Sequence, residues 1–209
     1  MTRPPVPPEI PPPPGPEGPP EPPARPPLVV VDETETDVRT ALLRQRRVML
    51  TGVLDDTTVT HAAAKLMMLD GESSREVELI VNSEGGPMPA VVTLLDVFGL
   101  MRAPVRTCCI GRALGTAAVV LASGTARRTA AGNAMIGLRL QERYDVNGRA
   151  VDVERYAADL GRTRERIVAH LRDATGLDED TLVHELSEGE SLTADAARAR
   201  GLIDEVISR

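Results

Sequence analysis

Short apolar runs alternate with amphipathic helical patterns along most of this chain, and that alternation constrains the fold more than any other feature. Strands are predicted at residues 48–50, 77–81, 105–110, 126–130, 133–137 and 205–207, and helices at 55–70, 87–101, 113–122, 151–173, 178–187 and between Thr193 and Gly201. A strand, a helix and a second strand in succession form a βαβ unit, which places helices on the faces of a parallel sheet. The fold class predicted for residues 28–209 is therefore α/β.

The ends of the predicted helices carry recognisable signals. Asp55 and Asp56 open the first helix, and Gly71 is expected to end it. Thr193 is placed to cap the last helix, which Gly201 closes. The helix at 113–122 is apolar and built of small residues, so we expect it to be buried on all sides.

The N-terminal segment differs from the rest in composition. Fifteen of the 18 prolines lie within residues 4–27. Such a segment has little to bury, and its prolines cannot donate the hydrogen bonds of a sheet. Residues 1–27 are therefore predicted to be a disordered, proline-rich arm, with the folded domain at 28–209. Two roles stay open for the arm: docking to a proline-recognising partner, or an extension that binds nothing specific.

Composition argues against several classes of function. The formal charge of −7 leaves no excess of basic residues to bind phosphates. One Phe, two Tyr and no Trp provide few rings on which bases could stack. No nucleic-acid partner is therefore expected. Cys108 and Cys109 are adjacent and make no zinc pattern with three scattered histidines, so neither a metal nor a cofactor is expected. No secretory signal and no bilayer-spanning stretch is recognised, which predicts a cytoplasmic protein without membrane contact.

Four stretches of the sequence resemble one family of serine peptidases. They are residues 42–52 (LLRQRRVMLTG), 80–86 (IVNSEGG), 109–118 (CIGRALGTAA) and 192–204 (LTADAARARGLID). Their order and spacing over about residues 40–209 are similar to those of the ClpP family. The resemblance implies a crotonase-like ββα superhelix with an equatorial handle helix. It also implies seven-membered rings that stack face to face around a chamber and are served by an ATP-driven AAA+ unfoldase.

The resemblance also locates the catalytic triad, and all three of its positions are glycine. In the family the serine nucleophile follows a Gly-x-Ala-x motif, where this chain has Gly115. The histidine base follows a Met-Ile pair, where it has Gly137, and the acid lies three residues before a Leu-Thr or Leu-Ser pair, where it has Gly189. A glycine cannot attack, accept a proton or orient a base. The resemblance therefore implies a catalytically degenerate paralogue, similar to the inactive ClpR-type subunits.

No other residue offers itself as a replacement. A one-residue shift would bring Glu188 or Glu190 to the acid position, which does not help without a serine and a histidine. Hydroxyl residues near the motifs are expected to be structural, with the Thr116 side chain pointing away from the nucleophile position: Thr116, Ser83 and Ser123. The histidines lie on predicted helices away from Gly137 and are expected to be exposed or satisfied there: His61, His170 and His184.

The remaining family features are altered. Gly85 and Gly86, with Thr116 at the start of the next helix, match the turn whose N–H groups face the oxyanion in the family, although a plain tight turn explains the glycines equally well. The family's proline before them is Glu84, and a carboxylate is a poor neighbour for a developing negative charge.

Two assembly features are also implied. The aromatic positions of the unfoldase-docking cleft fall at Glu78 and Ile80, where a carboxylate either opposes an apolar loop or is simply solvated at a strand end. The handle region spans about 138–173, with a predicted turn at 144–148 and a helix whose apolar residues, Leu160 and Ile167 among them, are expected to be covered by a second ring.

Three hypotheses follow. The first is a non-catalytic subunit that forms homo- or hetero-oligomeric rings with active ClpP paralogues, or regulates them. The second is an active ATP-dependent Clp serine endopeptidase, which needs a nucleophile that the sequence does not provide. The third is a crotonase-like protein that binds an acyl thioester through the Gly85 and Gly86 amides.

Overall fold

The computed structural model describes residues 33–140 and 149–207, and the alternation of strands and helices is confirmed there. The helices are α1 (Glu33–Arg44), α2 (Asp56–Glu72), α3 (Met88–Leu100), α4 (Thr116–Ala122), α5 (Ala150–Thr175), α6 (Glu179–Glu188) and α7 (Ala194–Ala199). The strands are β1 (Arg47–Val53), β2 (Val77–Gly85), β3 (Val105–Leu114), β4 (Arg128–Ala131), β5 (Met135–Gly137), β6 (Leu192–Thr193) and β7 (Glu205–Ile207). The predicted arm at 1–27 and the predicted turn at 144–148 lie outside the described residues.

The strands form one sheet in the order β1-β2-β3-β4-β7, with every neighbouring pair parallel. On the edge away from β2, β3 has two partners in succession. Its residues 107–109 pair with β4, and its residues 112–114 pair with β5. Near its end, Ala113 pairs with Ser83 on one side and with Ile136 on the other. The residue that follows β3, Gly115, therefore lies where β2 and β5 also end.

Aliphatic side chains form the core between the sheet and its helices. All seven residues of α4 are buried, which confirms the prediction of a helix covered on every side. Each fully buried leucine contributes roughly 1.5–3 kcal/mol to folding. Leucines with at most 1% of their surface exposed include Leu50, Leu54, Leu66, Leu69, Leu79, Leu94, Leu121, Leu138, Leu171 and Leu182.

Several element ends differ from those predicted. The helix α1 was not predicted. α4 begins at Thr116 rather than at residue 113, because Ala113 and Leu114 complete the β3 pairing. The predicted caps are confirmed: the Asp55 carboxylate accepts a hydrogen bond from the Thr58 amide at 2.8 Å, and Thr193 caps α7.

α2 passes through Gly71, where it was expected to end, and stops one residue later, where an arginine binds its C-terminal carbonyls. Arg46 is buried and has a left-handed backbone conformation, with φ of 59°. Its guanidinium donates to backbone carbonyl oxygens of the last turn of α2 and the loop after it, which are Leu69 (3.0 Å), Ser73 (3.0 Å), Arg75 (2.8 Å) and Glu76 (3.3 Å). The guanidinium thereby satisfies carbonyls that a helix C-terminus leaves open.

The two halves of α5 have different surroundings. Ile167 and Leu171 are fully buried, since this half of the helix packs on α3 and α4. The prediction that Ile167 is covered by a second ring is therefore wrong: it belongs to the core of the single chain. Leu160 is half-buried and packs against the same core, whereas Val151 and Tyr156 in the first half are 57% and 36% exposed. Within residues 33–140 and 149–207, no helix has both the length and the apolar character needed to cross a membrane.

Candidate functional site

Gly115 forms the sharp turn between β3 and α4. Its backbone has φ of 55° and ψ of −127°, a combination that residues with a side chain rarely adopt. Its amide donates a hydrogen bond to the carbonyl of Gly137 at 2.7 Å. A Cβ atom here would lie 3.4 Å from the Arg139 carbonyl oxygen and 3.7 Å from that of Glu84, which is ordinary contact. The turn thus keeps space for a side chain, although the residue has none.

Gly137 ends β5 and faces the segment that leads into β6. A Cβ atom on it would lie 3.3 Å from both the Cα and the Oγ atom of Ser191, which is tighter than most real contacts. Sequence reasoning missed Ser191. The signal that could have found it is the antiparallel pairing of Ile136 with Leu192, which places the residue after Ile136 opposite the residue before Leu192.

Gly189 is buried at the C-terminal end of α6, where its amide donates to the Glu185 carbonyl at 3.1 Å. A Cβ atom would lie 2.5 Å from the Glu185 carboxylate and 2.9 Å from its Cα atom, so no side chain can be added without moving the helix end. The buried Glu185 carboxylate is ion-paired with Arg200. The carboxylate beside this position is thus already bound to an arginine.

The structure brings the three predicted triad positions into one neighbourhood. Gly115 and Gly137 are joined by a backbone hydrogen bond, and residues 190–191 run from Gly189 to Gly137. The atoms nearest to the missing side chains belong to Glu84, Arg139, Glu185, Glu190 and Ser191, and none belongs to a histidine. The three predicted positions therefore lie close together, and no histidine side chain is among their nearest neighbours.

The turn at Gly85 and Gly86 keeps its shape, but its N–H groups are already bonded. The Gly86 amide donates to the Thr116 hydroxyl oxygen at 2.8 Å, and that hydroxyl donates to the Gly86 carbonyl at 3.1 Å. The Gly85 amide donates to the Ser83 hydroxyl oxygen at 2.9 Å. An oxyanion would have to displace the buried Thr116 side chain to reach the Gly86 donor.

Packing alone explains why both glycines of this turn are present. Gly85 has φ of 92°, and a Cβ atom on it would lie 2.7 Å from the Leu114 carbonyl oxygen. A Cβ atom on Gly86 would lie 2.7 Å from the carbonyl carbon of Leu54. The close approach of the three backbones therefore requires glycine whether or not the turn binds an anion.

A charged pair lies beside the Gly115 turn. Arg112 and Glu84 form an ion pair at 2.5 Å, and their side chains are 55% and 65% exposed. A pair so exposed stabilises the fold by about 0–1 kcal/mol at most. Its larger effect is local, because it holds the Glu84 carboxylate near the Gly115 turn.

Other potential nucleophiles are committed to the fold. The Ser83 hydroxyl donates to the Gly52 carbonyl at 2.5 Å, and the Ser123 hydroxyl donates to the Val119 carbonyl at 2.6 Å. Burial, with a smaller contribution from Cys108, raises the pKa of the Cys109 thiol to about 12, so it stays protonated at neutral pH.

The histidines lie on three different helices, as predicted: His61 on α2, His170 on α5 and His184 on α6. His61 and His184 are exposed. The expectation that each is exposed or satisfied is wrong for His170, whose Nε2 atom is buried without a hydrogen-bond partner. Across the described ranges, no three His, Cys, Asp or Glu side chains gather closely enough to hold a metal ion.

The strand face at Glu78 and Ile80 is charged at one end. The Glu78 carboxylate lies 2.8 Å from the Arg47 guanidinium and 3.8 Å from that of Arg106. Ile80 is half-buried two residues along β2, on the same face. The carboxylate there is therefore held between two arginines.

Comparison with known proteins identifies the family of this chain. A family model described as Clp protease matches residues 31–209. The "ATP-dependent Clp protease proteolytic subunit 1" of Thermobifida fusca (strain YX) is 32% identical over 168 residues, which cover 79% of this chain and 76% of that protein. The protein of the same description from Corynebacterium efficiens is 30% identical over 174 residues, covering 82% of this chain and 84% of that one. The chain belongs to the Clp protease family.

Proposed function

We propose that this chain is a non-catalytic subunit of a Clp-type ATP-dependent protease complex. It would enter rings with active paralogues, or form a ring of its own, and so set the composition of the chamber and the access of the unfoldase. The observation that carries the proposal is glycine at Gly115, Gly137 and Gly189, the three positions that the family resemblance assigns to the triad.

The surroundings of these glycines support the same function. Gly189 has no room for a side chain, and the Gly86 amide is bonded to Thr116. A serine hydrolase needs a nucleophile, a base and donors for the oxyanion, and loss of a whole triad costs on the order of 10⁶ in turnover in the serine peptidase subtilisin. Peptide hydrolysis at a useful rate is therefore not expected of this chain.

Exposed apolar side chains support the assembly part of the proposal. Leu100 at the end of α3 and Met67 on α2 are 80% and 60% exposed, and Val151 on α5 is 57% exposed. These side chains lie on three different helices, so they are available to more than one neighbouring chain. Contacts around the ring and between rings would cover them.

Docking of the unfoldase is expected to be weak on this subunit. A Glu78 carboxylate held between Arg47 and Arg106 has to give up water and ion pairs when an apolar loop is inserted beside it. An active paralogue in the same complex would then provide the main docking sites, and this chain would lower their number per ring.

Labelling with an active-site probe tests the non-catalytic part. The purified chain is expected to stay unmodified by a fluorophosphonate or β-lactone, while an active paralogue treated in parallel is labelled. A covalent adduct on a serine or threonine, lost when that residue is changed, would show that the chain is an active hydrolase.

Analytical ultracentrifugation tests the assembly part. The chain, alone or mixed with active paralogues from the same source, is expected to sediment as a ring-sized species. Val151→Glu together with Val153→Glu puts two carboxylates on the exposed half of α5 and is expected to yield smaller species. The matched control is Val38→Glu, because Val38 is similarly exposed on α1. A clean monomer for the unaltered chain under both conditions contradicts the assembly role.

A further inference from the structure

A cavity of about 210 Å³ lies between α1, β1 and α2, away from the Gly115 neighbourhood. One helical face of α2 lines it through Thr58, His61 and Lys65, which are three and four residues apart and so share a face. At about 30 Å³ per water molecule, the space corresponds to roughly seven waters. The cavity is therefore large enough for a small solute.

The other two walls add further cations and a hydroxyl. On β1, Arg47 and Thr51 line the cavity and lie four residues apart, so they are on the same face of the strand. α1 contributes Arg39. Beneath these polar groups the cavity is lined by aliphatic side chains, the buried Val48 among them.

The sign of the charge is unusual for this protein. The chain carries a formal charge of −7, yet among the residues whose side chains the structure describes no Asp or Glu lines the cavity. Lys65 is the one lysine in the sequence. Glu78 offsets Arg47 with an ion pair at 2.8 Å, whereas neither Lys65 nor His61 has an ion-pair partner within residues 33–140 and 149–207. The cavity is thus locally positive in an acidic molecule.

We propose that this cavity binds a phosphoryl group, either as free phosphate or on a small phosphorylated molecule. Ammonium and guanidinium groups and threonine hydroxyls converge from three elements, and together they offer more donors than the two oxygens of a carboxylate accept. A phosphate has more acceptor oxygens than a carboxylate, and Arg and Lys are its usual partners. This site is independent of the proposed lack of catalysis.

Thermal unfolding in phosphate and in chloride of equal ionic strength tests the proposal. Phosphate also stabilises proteins non-specifically by exclusion from their surface, so variants carry the test. Lys65→Met removes the ammonium group and keeps the apolar stem, and the matched control is Arg155→Met on the exposed face of α5. The phosphate-dependent rise in Tm is expected in the unaltered chain and in the control, and is expected to be lost in Lys65→Met.

Calorimetric titration with inorganic phosphate gives the affinity. Lys65→Met is expected to weaken binding on the order of tenfold to a hundredfold, the range for loss of a hydrogen bond to a charged group. The Tm of the variant in chloride shows whether it is folded, and His61→Leu provides a second variant in which a different donor is lost. An equal rise in Tm in Lys65→Met and the control, or no saturable phosphate binding by the unaltered chain, overturns the proposal.

Parallel titrations with glycerol phosphate separate the two sources of the phosphoryl group. Tighter binding of the ester than of inorganic phosphate assigns the cavity to a small phosphorylated molecule, with the ester's carbon chain on the aliphatic lining. Equal or weaker binding of the ester assigns it to the free ion. Failure of both ligands to bind overturns the proposed phosphoryl site. It leaves the proposed subunit role unaffected, because that role is tested separately by probe labelling and by sedimentation.

Discussion

Gly115 and Gly189 stand at two positions of the same predicted triad, yet their surroundings differ sharply. A Cβ atom on Gly115 would make ordinary contacts of 3.4 and 3.7 Å with two carbonyl oxygens. A Cβ atom on Gly189 would lie 2.5 and 2.9 Å from atoms of Glu185, which no packing tolerates. The predicted nucleophile position lacks only a side chain, whereas the predicted acid position also lacks the space for one.

The difference teaches which part of such a site the fold itself maintains. The turn at Gly115 joins β3 to the buried helix α4, so its shape is fixed by the core whatever the residue does chemically. At the end of α6 the packing differs, because the Glu185 carboxylate bound to Arg200 occupies the space beside Gly189. The core therefore fixes the backbone at Gly115 and leaves room beside it, whereas a side chain and its ion pair fill the space at Gly189.

Gly189→Asp gives the largest expected effect. The new side chain collides with backbone and carboxylate atoms of Glu185, and we expect the free energy of unfolding to fall by about 3 kcal/mol or more. Denaturant unfolding at a fixed protein concentration measures it. Gly161→Asp on α5 is the control, because a Cβ there meets nothing within 4 Å, and a change within about 0.5 kcal/mol is expected. Similar losses in both variants would remove the contrast.

Gly115→Ser is expected to be milder. Space is present for the side chain, so the cost comes from the backbone at φ of 55° and ψ of −127°, which a residue with a side chain adopts at about 1–3 kcal/mol. The variant is also expected to stay unlabelled by a fluorophosphonate, because no histidine lies near the restored hydroxyl. Denaturant unfolding and mass spectrometry after labelling measure the two outcomes. Labelling of the new serine would mean that another group acts as the base.

Gly137→Ala tests the intermediate position. Its Cβ would press on Ser191 at 3.3 Å, and we expect a loss of about 1 kcal/mol. Ser191→Gly removes one of the atoms pressed upon, so the double variant is expected to lose less than the sum of the single losses. A double-mutant cycle by denaturant unfolding measures the coupling. Strict additivity would mean that the two residues do not touch.

The smallest expected effect concerns His170, whose Nε2 atom is buried without a hydrogen-bond partner among the described residues. Burial lowers the pKa of His170 below its ordinary 6.5, against the opposite pull of Asp173 and Asp96. The folded chain then binds fewer protons than the unfolded chain near pH 6, so stability is full above 6.5 and falls as the pH drops through the folded pKa. Unfolding between pH 7.5 and 5.5 should show this decline, and His170→Leu should reduce it. His184→Leu is the exposed control.

Much of the fold could be predicted from the sequence because its signals are local. The caps at Asp55 and Thr193 lie three residues before the amides they bind, and the apolar run of α4 predicts a buried helix by itself. The helix α1 was missed because it follows the proline-rich stretch and its first turns are acidic and polar. The end of α2 was misplaced because the group that fixes it, Arg46, is 23 residues away from Leu69.

The candidate site was predictable only in part, for the same reason. Family resemblance located Gly115, Gly137 and Gly189, and the strand pairings explain why they meet. The bond from Gly86 to Thr116 spans 30 residues of sequence, and no short pattern encodes it. Contacts of that range depend on strand register and packing, which are set by the fold as a whole rather than by any short segment.

Arg46 also has a consequence for how the molecule opens. Its guanidinium holds the last turn of α2 and the loop at residues 73–76 to the start of β1. That loop cannot fray alone, because its release would leave the buried guanidinium charge without its carbonyl partners. The amides near the end of α2 should therefore exchange with solvent at the rate of the edge strand rather than at that of a free helix terminus, so the two segments form one cooperative unit.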